Sequence, residues 1–151
     1  MPLPNPPLPQ HAASAIVEHE GRLLLVKRRN PPAADLFAFP GGRCEPGETP
    51  AEAALRELRE ETGIEGRLPL PFAVYDLNGE NDAPGASTHF LLTVFTVKLA
   101  GPSEVLAGDD AVEAGWFGLS EIDQLVVPAS VRECVDRIAA ERGWIRAEER
   151  T

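Results

Sequence analysis

Short apolar runs separated by turn residues dominate the chain and predict a domain rich in β-strands. Two of these runs, 15–19 and 22–27, flank Glu20-Gly21 and have the form of a β-hairpin. Further strands are predicted over 37–39, 68–77, 88–99 and 112–117. The run 88–99 is apolar at odd and even positions alike, which is typical of a strand covered on both faces.

Helical segments interrupt these strands. The first is predicted between Thr49 and Gly63, because Thr49 can cap it, Pro50 suits the first helical position and Gly63 can end it. Near the C-terminus a short helix is predicted to open at Ser120, and a longer one to cover 130–142. Strands mixed with a few helices, without an internal repeat, predict an α/β sandwich.

The first ten residues contain five prolines, so they cannot form a helix or a central strand. We expect residues 1–12 to form a proline-rich, extended tail and residues 13–151 to form a single domain. The tail is either a frayed terminus or a segment whose Leu3 and Leu8 pack across a second subunit. In the second case the tail would take part in a homodimer, which is the oligomeric state that we expect.

Charge and composition restrict the class of protein. A net charge of −10 repels a nucleic-acid polymer, so a phosphate ligand requires a local cationic patch or a metal ion. The two cysteines, Cys44 and Cys134, are too few for a disulfide framework and lack zinc-site spacing. No apolar run is long enough to cross a bilayer, and no signal peptide is evident. We expect a cytoplasmic protein that binds neither nucleic-acid polymer nor membrane.

The predicted helix over 49–63 has two different faces. At about 100° per residue, one side is apolar and comprises Ala51, Leu55 and Leu58. The opposite side is acidic and comprises Glu57, Glu60 and Glu61, with Ala53 expected to leave space beside them. Clustered carboxylates suit magnesium. The alternative is a solvated face on which Arg56 forms intrahelical salt bridges.

The residues around this helix follow a fixed spacing. Gly42 is followed after five residues by Glu48, and after seven more by RELREETGI at 56–64. This pattern resembles the Nudix box at every fixed position over 42–64. The flanking segments FPGG, EAGWF and LSEI are also similar to the surroundings of that box. The chain thus resembles the Nudix hydrolase superfamily over about residues 14–140.

The resemblance implies a Nudix fold, an α/β/α sandwich with a mixed β-sheet and a catalytic loop–helix–loop. It also implies a magnesium cofactor, which manganese can replace, held by Gly42, Glu48, Glu57, Glu60 and Glu61. Arg56 would orient one of these glutamates. The general base would be Glu60, Glu61 or a residue outside the box, with Asp109, Asp110 and Glu113 as the outer candidates.

The box pattern does not identify the residues that contact the substrate. Arg28 and Arg29, next to Lys27, are either phosphate-binding residues or ordinary surface charge. The chain is similar to short ADP-ribose pyrophosphatases, which implies cleavage of ADP-ribose into AMP and ribose 5-phosphate. It lacks the proline that often marks that group, since Gly79 and Glu80 occupy the corresponding place.

The segment 23–39 lacks the arginine motif of coenzyme A hydrolases, which argues against that substrate. Besides ADP-ribose hydrolysis, two alternatives remain for the function. The first is a nucleoside-triphosphate pyrophosphatase, and the second is a non-catalytic ligand-sensing module. The non-catalytic module is disfavoured because such modules commonly lose box glutamates, and all are present here.

Overall fold

The computed structural model describes residues 9–29, 35–78, 89–108 and 111–146, and within them the strands form one mixed sheet. The strands are β1 Gln10–His19, β2 Arg22–Arg28, β3 Phe37–Ala38, β4 Gly41–Arg43, β5 Gly66–Asn78, β6 His89–Leu99 and β7 Ala111–Phe117. The helices are α1 Pro50–Thr62, α2 Leu119–Ile122 and α3 Ala129–Arg142. None of the helices described is long and apolar enough to cross a membrane.

Strand β1 is the centre of the sheet. It runs parallel to β6 and antiparallel to β2 and β4, and β5 pairs antiparallel with the far edge of β6. Strands β3 and β7 both pair with β2. The predicted β1–β2 hairpin is confirmed: Glu20 and Gly21 have φ values of 51° and 74°, the positive pair that a tight two-residue turn requires.

The sheet is covered on both faces, which confirms the predicted sandwich. Strand β1 shows the division most clearly, because its successive side chains alternate between the faces. Ala15 and Val17 pack with α1, whereas Ile16 packs with the residues of α3. The strands between these two layers thus carry an apolar cluster on each side, which fixes the position of α1 relative to the sheet.

Helix α1 begins and ends as its sequence predicts. The Thr49 hydroxyl accepts a hydrogen bond from the Glu52 N–H, and the Glu52 carboxylate accepts one from the Thr49 N–H. Gly63 ends the helix with a φ of 73°. The expected position of Ala53 is wrong, because this residue is fully buried beside Leu58 instead of lying outside near the acids. The helix is rotated about its axis relative to the prediction, so the side that carries Ala53 faces the sheet.

Several other strand and helix boundaries differ from those predicted, because long-range pairing or packing, and not the local sequence, determines them. Strand β1 begins at Gln10, not residue 15, because it pairs with β6 from Phe90 onwards. The predicted tail boundary is therefore wrong for residues 10–12, which belong to the sheet. After the predicted strand over 37–39, the backbone forms a further short strand, β4, which begins at Gly41. Helix α2 opens after Gly118, whose N–H donates to the Glu121 carboxylate, so Ser120 is not its cap. Leu3 and Leu8 of the predicted tail lie outside the described residues.

Candidate active site

An open cleft of about 450 Å³ lies between α1 and strand β4. The α1 side contributes Arg56, Glu57 and Glu61, and the opposite side is formed by the backbone of Gly41 and Gly42. Lys27, Arg28 and Arg43 add positive charge around its rim. Acidic and basic groups therefore face the same space, as a site for a metal ion and a phosphate compound requires.

Glu57 and Glu61 turn towards the sheet. The Glu57 side chain is only 17% exposed, and the Glu61 Oε2 accepts a hydrogen bond of 3.1 Å from the Gly41 N–H. A Cβ on Gly42 would lie 2.7 Å from the Glu57 carboxyl carbon, so only glycine leaves room for this carboxylate. The prediction that the acids oppose the packed face of the helix is therefore wrong for these two residues.

Burial changes the protonation of Glu61. It raises the pKa of this carboxyl to about 8, and the negative charge of Glu57 acts in the same direction. The Gly41 N–H and the positive charge of Arg28 oppose the shift. Two carboxyls that repel each other in a partly dry cleft are the arrangement that a divalent cation relieves.

Arg56 binds the other acids of the box. Its Nε and Nη2 contact the two carboxylate oxygens of Glu48 at 2.7 and 2.9 Å, and its Nη1 lies 2.9 Å from Glu57 and 3.0 Å from Glu60. The hydrogen bonds from Arg56 lower the pKa of Glu48 to about 2. Both Glu48 oxygens are thus engaged by Arg56, and the Glu60 side chain is 54% exposed. The alternative of an intrahelical salt bridge holds for Arg56 with Glu60.

The donor set fits magnesium or manganese with two protein carboxylates. Within the described part of the chain, no three acidic, histidine or cysteine side chains converge as a preformed metal site. Magnesium commonly takes one or two carboxylates and completes its shell with water and substrate phosphate. Glu57 and Glu61 supply such hard oxygen ligands, and the missing Cβ of Gly42 leaves room for the Glu57 carboxylate in the cleft.

The end of α1 that carries the acids is held by the segment before β7. The Gly108 N–H donates to the Glu61 carbonyl at 2.8 Å, and the Leu106 N–H donates to the Thr62 carbonyl at 2.9 Å. A Cβ on Gly108 would lie 2.2 Å from the Glu60 carbonyl oxygen. This close backbone approach fixes the helix end at the cleft.

The candidates outside the box are placed differently. Arg28 lines the cleft, whereas Arg29 is exposed and is not among the lining residues that the structure describes. Glu113 is exposed on β7 opposite Lys27 in the strand register, and its side chain does not line the described part of the cleft. Asp109 and Asp110 lie outside the described residues.

An apolar recess of about 270 Å³, which the sequence did not predict, lies on the other side of β4. It is bounded by residues of β1, β6 and α3, including Ser14, Phe90 and Ser130, and it shares Arg28 and Arg43 with the cleft. Arg43 carries no local signal, because it follows Gly42 at a variable position of the box. The recess brings together residues far apart in sequence, so no single segment could have revealed it.

Comparison with known proteins identifies the family of this chain. The NUDIX domain model matches residues 8–138. The chain is 39% identical over 117 residues to the ADP-ribose pyrophosphatase of Methanocaldococcus jannaschii, covering 78% of this chain and 66% of that protein. It is 47% identical over 56 residues to the CTP pyrophosphohydrolase of Escherichia coli, covering 36% of this chain and 42% of that one.

A solved structure shares the fold. The bifunctional NMN adenylyltransferase/ADP ribose pyrophosphatase of Francisella tularensis, complexed with AMP and a manganese ion, superimposes with a TM-score of 0.70. It is 26% identical, and the match covers 89% of this chain and 42% of that one. This chain spans about two thirds or less of each of these three proteins. With a matching family model over most of its length and the complete box folded around a two-carboxylate cleft, the chain belongs to the Nudix hydrolase family.

Proposed function

We propose that this chain hydrolyses the diphosphate linkage of a nucleoside diphosphate joined to a second group, with magnesium as cofactor. ADP-ribose, cleaved into AMP and ribose 5-phosphate, is the best candidate substrate. The observation that carries this proposal is the inward-facing Glu57–Glu61 pair beside the side-chain-free Gly42, with Arg28 on the same cleft. The similarity to the archaeal ADP-ribose pyrophosphatase supports the choice of substrate.

Glu57 and Glu61 would hold the divalent ion. A bound magnesium or manganese ion supplies positive charge that neutralises phosphate oxygens and lowers the pKa of a water. Arg56 keeps Glu57 in place through its 2.9 Å contact, while its own position is fixed by Glu48. Arg28 lies close enough to influence Glu61 and would attract the anionic diphosphate into the cleft.

A further carboxylate must accept a proton from the attacking water. Glu57 and Glu61 are assigned to the metal ion, and Arg56 engages both oxygens of Glu48. Glu60 is then the box acid that remains: one of its oxygens accepts from Arg56 at 3.0 Å, and its side chain is half exposed. Glu113 is the outer candidate; neither it nor Glu60 lines the described part of the cleft, but Glu60 lies on the same helix as Glu57 and Glu61. We assign the proton acceptor to Glu60.

A substrate panel with product analysis tests the proposal. Purified protein with magnesium is given ADP-ribose, nucleoside diphosphate sugars and nucleoside triphosphates, and the products are separated by anion-exchange chromatography. We expect AMP and ribose 5-phosphate from ADP-ribose, and no turnover in excess chelator. Cleavage of none of the diphosphate-linked compounds, by folded protein saturated with magnesium, would reject it.

The second candidate is a nucleoside-triphosphate pyrophosphatase. It is favoured by the 47% identity to the CTP pyrophosphohydrolase of E. coli, although that match covers only 56 residues. The same panel separates the two activities, because this enzyme would release pyrophosphate from a triphosphate. The net charge of −10 argues against a nucleic-acid polymer as substrate in either case. The homodimer and the cytoplasmic location stay predictions from the sequence.

A further inference from the structure

The last turn of α1, which carries the final acids of the box, is fixed by residues outside the box. A helix leaves the carbonyls of its last four residues without partners inside the helix. The Gly108 N–H supplies a partner to the Glu61 carbonyl at 2.8 Å. The Leu106 N–H does the same for the Thr62 carbonyl at 2.9 Å. Glu61 is thus held at two points, by Gly108 at its backbone and by Gly41 at its carboxyl.

Gly108 lies closer to α1 than a residue with a side chain could. An added Cβ would lie 2.2 Å from the Glu60 carbonyl oxygen, which belongs to the helix backbone and cannot rotate away as a side chain would. The φ of Gly108 is not in the positive region that favours glycine, so the backbone conformation does not require this residue. The absence of a side chain is therefore needed for the contact with the helix.

Gly108 belongs to the segment 103–108, which lies between β6 and β7 and forms neither helix nor strand. The backbone polar groups of such a segment need individual partners, because no regular ladder supplies them. The Ser103 carbonyl accepts a hydrogen bond of 2.8 Å from the Nε1–H of Trp116. Val105 packs against the apolar cluster between α1 and the sheet. The segment 103–108 is thus held by Trp116 at one end and by the last turn of α1 at the other.

Trp116 is itself fixed by the sheet. It lies on β7 opposite the fully buried Leu24 of β2, and its ring is half-buried, with its centre 5.5 Å from that of His19. An indole buries a large apolar surface and has a single N–H that needs an acceptor. Trp116 therefore gives the segment 103–108 a rigid attachment to the sheet.

We propose that Gly108 and Trp116 are positioning residues for the divalent cation. Trp116 holds the segment 103–108, and this segment holds the turn of α1 from which Glu61 would bind the ion. Neither residue belongs to the described lining of the cleft, so both act through the helix. A small displacement of the turn is sufficient, because magnesium requires near-ideal octahedral geometry. The inference rests on the proposed function, since it concerns the same two-carboxylate site.

Magnesium titration by calorimetry tests the role of Gly108 without turnover. Gly108→Ala should weaken magnesium binding by about tenfold or more, as changes to residues that orient ligands commonly do. Gly101→Ala is the matched control, because Gly101 precedes the segment 103–108 in the same connection and its Cβ would meet only the Glu65 Cβ at 3.8 Å. This control should bind magnesium as the wild type does.

The two tryptophans of the chain provide a second matched pair. Trp116→Phe keeps an aromatic ring but removes the N–H, and it should weaken magnesium binding by about two- to tenfold, the equivalent of one hydrogen bond. Trp144→Phe makes the same change in a residue that packs with the α3 cluster on the other face of the sheet, and it should leave magnesium affinity unchanged. Thermal melting of each variant separates this loss from a general loss of stability.

The double variant tests whether the two residues act through one segment. Gly108→Ala combined with Trp116→Phe should bind magnesium about as weakly as Gly108→Ala alone, because the first change already displaces what Trp116 holds. A loss equal to the product of the two single losses would show independent effects and overturn the inference.

Unchanged magnesium affinity in folded Trp116→Phe, or losses that the matched controls share, would also overturn it. If Gly108→Ala does not fold, the tryptophan pair decides the matter. A wild-type protein that binds no magnesium would overturn the inference together with the metal site. Failure of the proposed function is distinguishable, because it would leave these differences in magnesium affinity intact while no diphosphate-linked nucleotide is cleaved.

Discussion

The backbone N–H of Gly41 donates a hydrogen bond of 3.1 Å to the Oε2 of Glu61, joining strand β4 to the acidic turn of α1. This bond crosses twenty positions of the sequence and holds a largely buried carboxyl at the floor of the cleft. The geometry of the candidate site therefore depends on two adjacent glycines as much as on the glutamates. Separate variants can therefore test the space beside Gly42, the charges of the glutamates and the identity of the proton acceptor.

Gly42→Ala should weaken magnesium binding while the fold is kept. The new Cβ would lie 2.7 Å from the Glu57 carboxyl carbon and would displace that side chain. Loss of a group that positions a ligand typically costs about ten- to a hundredfold in metal affinity. The measurement is magnesium titration by calorimetry. Gly101→Ala is the control, since its Cβ would meet only the Glu65 Cβ at 3.8 Å; equal affinities in the two variants would contradict the role of Gly42.

Glu57→Gln and Glu61→Gln should each lower kcat/KM for ADP-ribose by at least about a hundredfold, since each removes one charge that the cation requires. Steady-state kinetics at several magnesium concentrations measure the loss. Glu65→Gln, an exposed change just beyond the helix, provides the control. If both box variants turn over at the rate of that control, these residues do not hold the metal ion.

Glu60→Gln and Glu113→Gln together identify the proton acceptor. Loss of a general base typically lowers the rate by about 10²- to 10⁴-fold. We expect that loss in kcat for Glu60→Gln, with little change in KM, and less than about threefold for Glu113→Gln. The pH–rate profile is the deciding readout, because its acidic limb should disappear only in the variant that lacks the base. The reverse pattern would assign the base to Glu113.

Arg56 and Glu48 should show strong energetic coupling. Their side chains are 16% and 13% exposed and share two hydrogen bonds, a geometry that lysine cannot reproduce. A double-mutant cycle with Arg56→Lys and Glu48→Gln, measured by urea unfolding, should give a coupling free energy of about 1–3 kcal/mol. The exposed pair Arg137–Glu141 is the comparison and should give less than about 1 kcal/mol. Equal coupling in the two pairs would argue against a special role for the box arginine.

The metal-free protein should lose stability as the pH rises through neutrality. Glu61 has a folded-state pKa of about 8, above its ordinary value of 4.5, so folding favours its protonated form. Its contribution to stability is complete below pH 4.5 and is lost as the pH approaches 8. The free energy of unfolding in chelator, compared with that of Glu61→Gln, should fall across this window. A difference between the two proteins that is constant with pH would contradict the buried position of the carboxyl.

Helix α1 was predictable because its signals are local. Thr49 and Gly63 act within one turn of the helix ends, and the structure confirms the cap and the glycine end. The direction of the acidic residues was not predictable from helical periodicity. That periodicity gives the angles between side chains around the helix axis, but it does not say which side of the helix packs on the sheet. The sequence therefore placed Ala53 outside, although it is buried. It also predicted that Glu57 and Glu61 face away from the sheet, although they face β4.

Longer-range features escaped prediction for a related reason. The parallel pairing of β1 with β6 joins Gln10 to Phe90 and extends β1 beyond its apolar run. The recess is formed by that pairing together with the packing of α3, so Ser14 and Ser130 line the same space only in the folded chain. The spacing over 42–64 nevertheless indicated the chemistry, because all of the box acids lie on one loop and one helix.

Strand β4 has only three residues, and its two glycines present no side chain to either neighbouring space. Residues of α1 line only the acidic cleft and residues of α3 line only the apolar recess, on the two sides of this short strand. A substitution on α3 can therefore reshape the recess while the acidic side chains of α1 keep their positions.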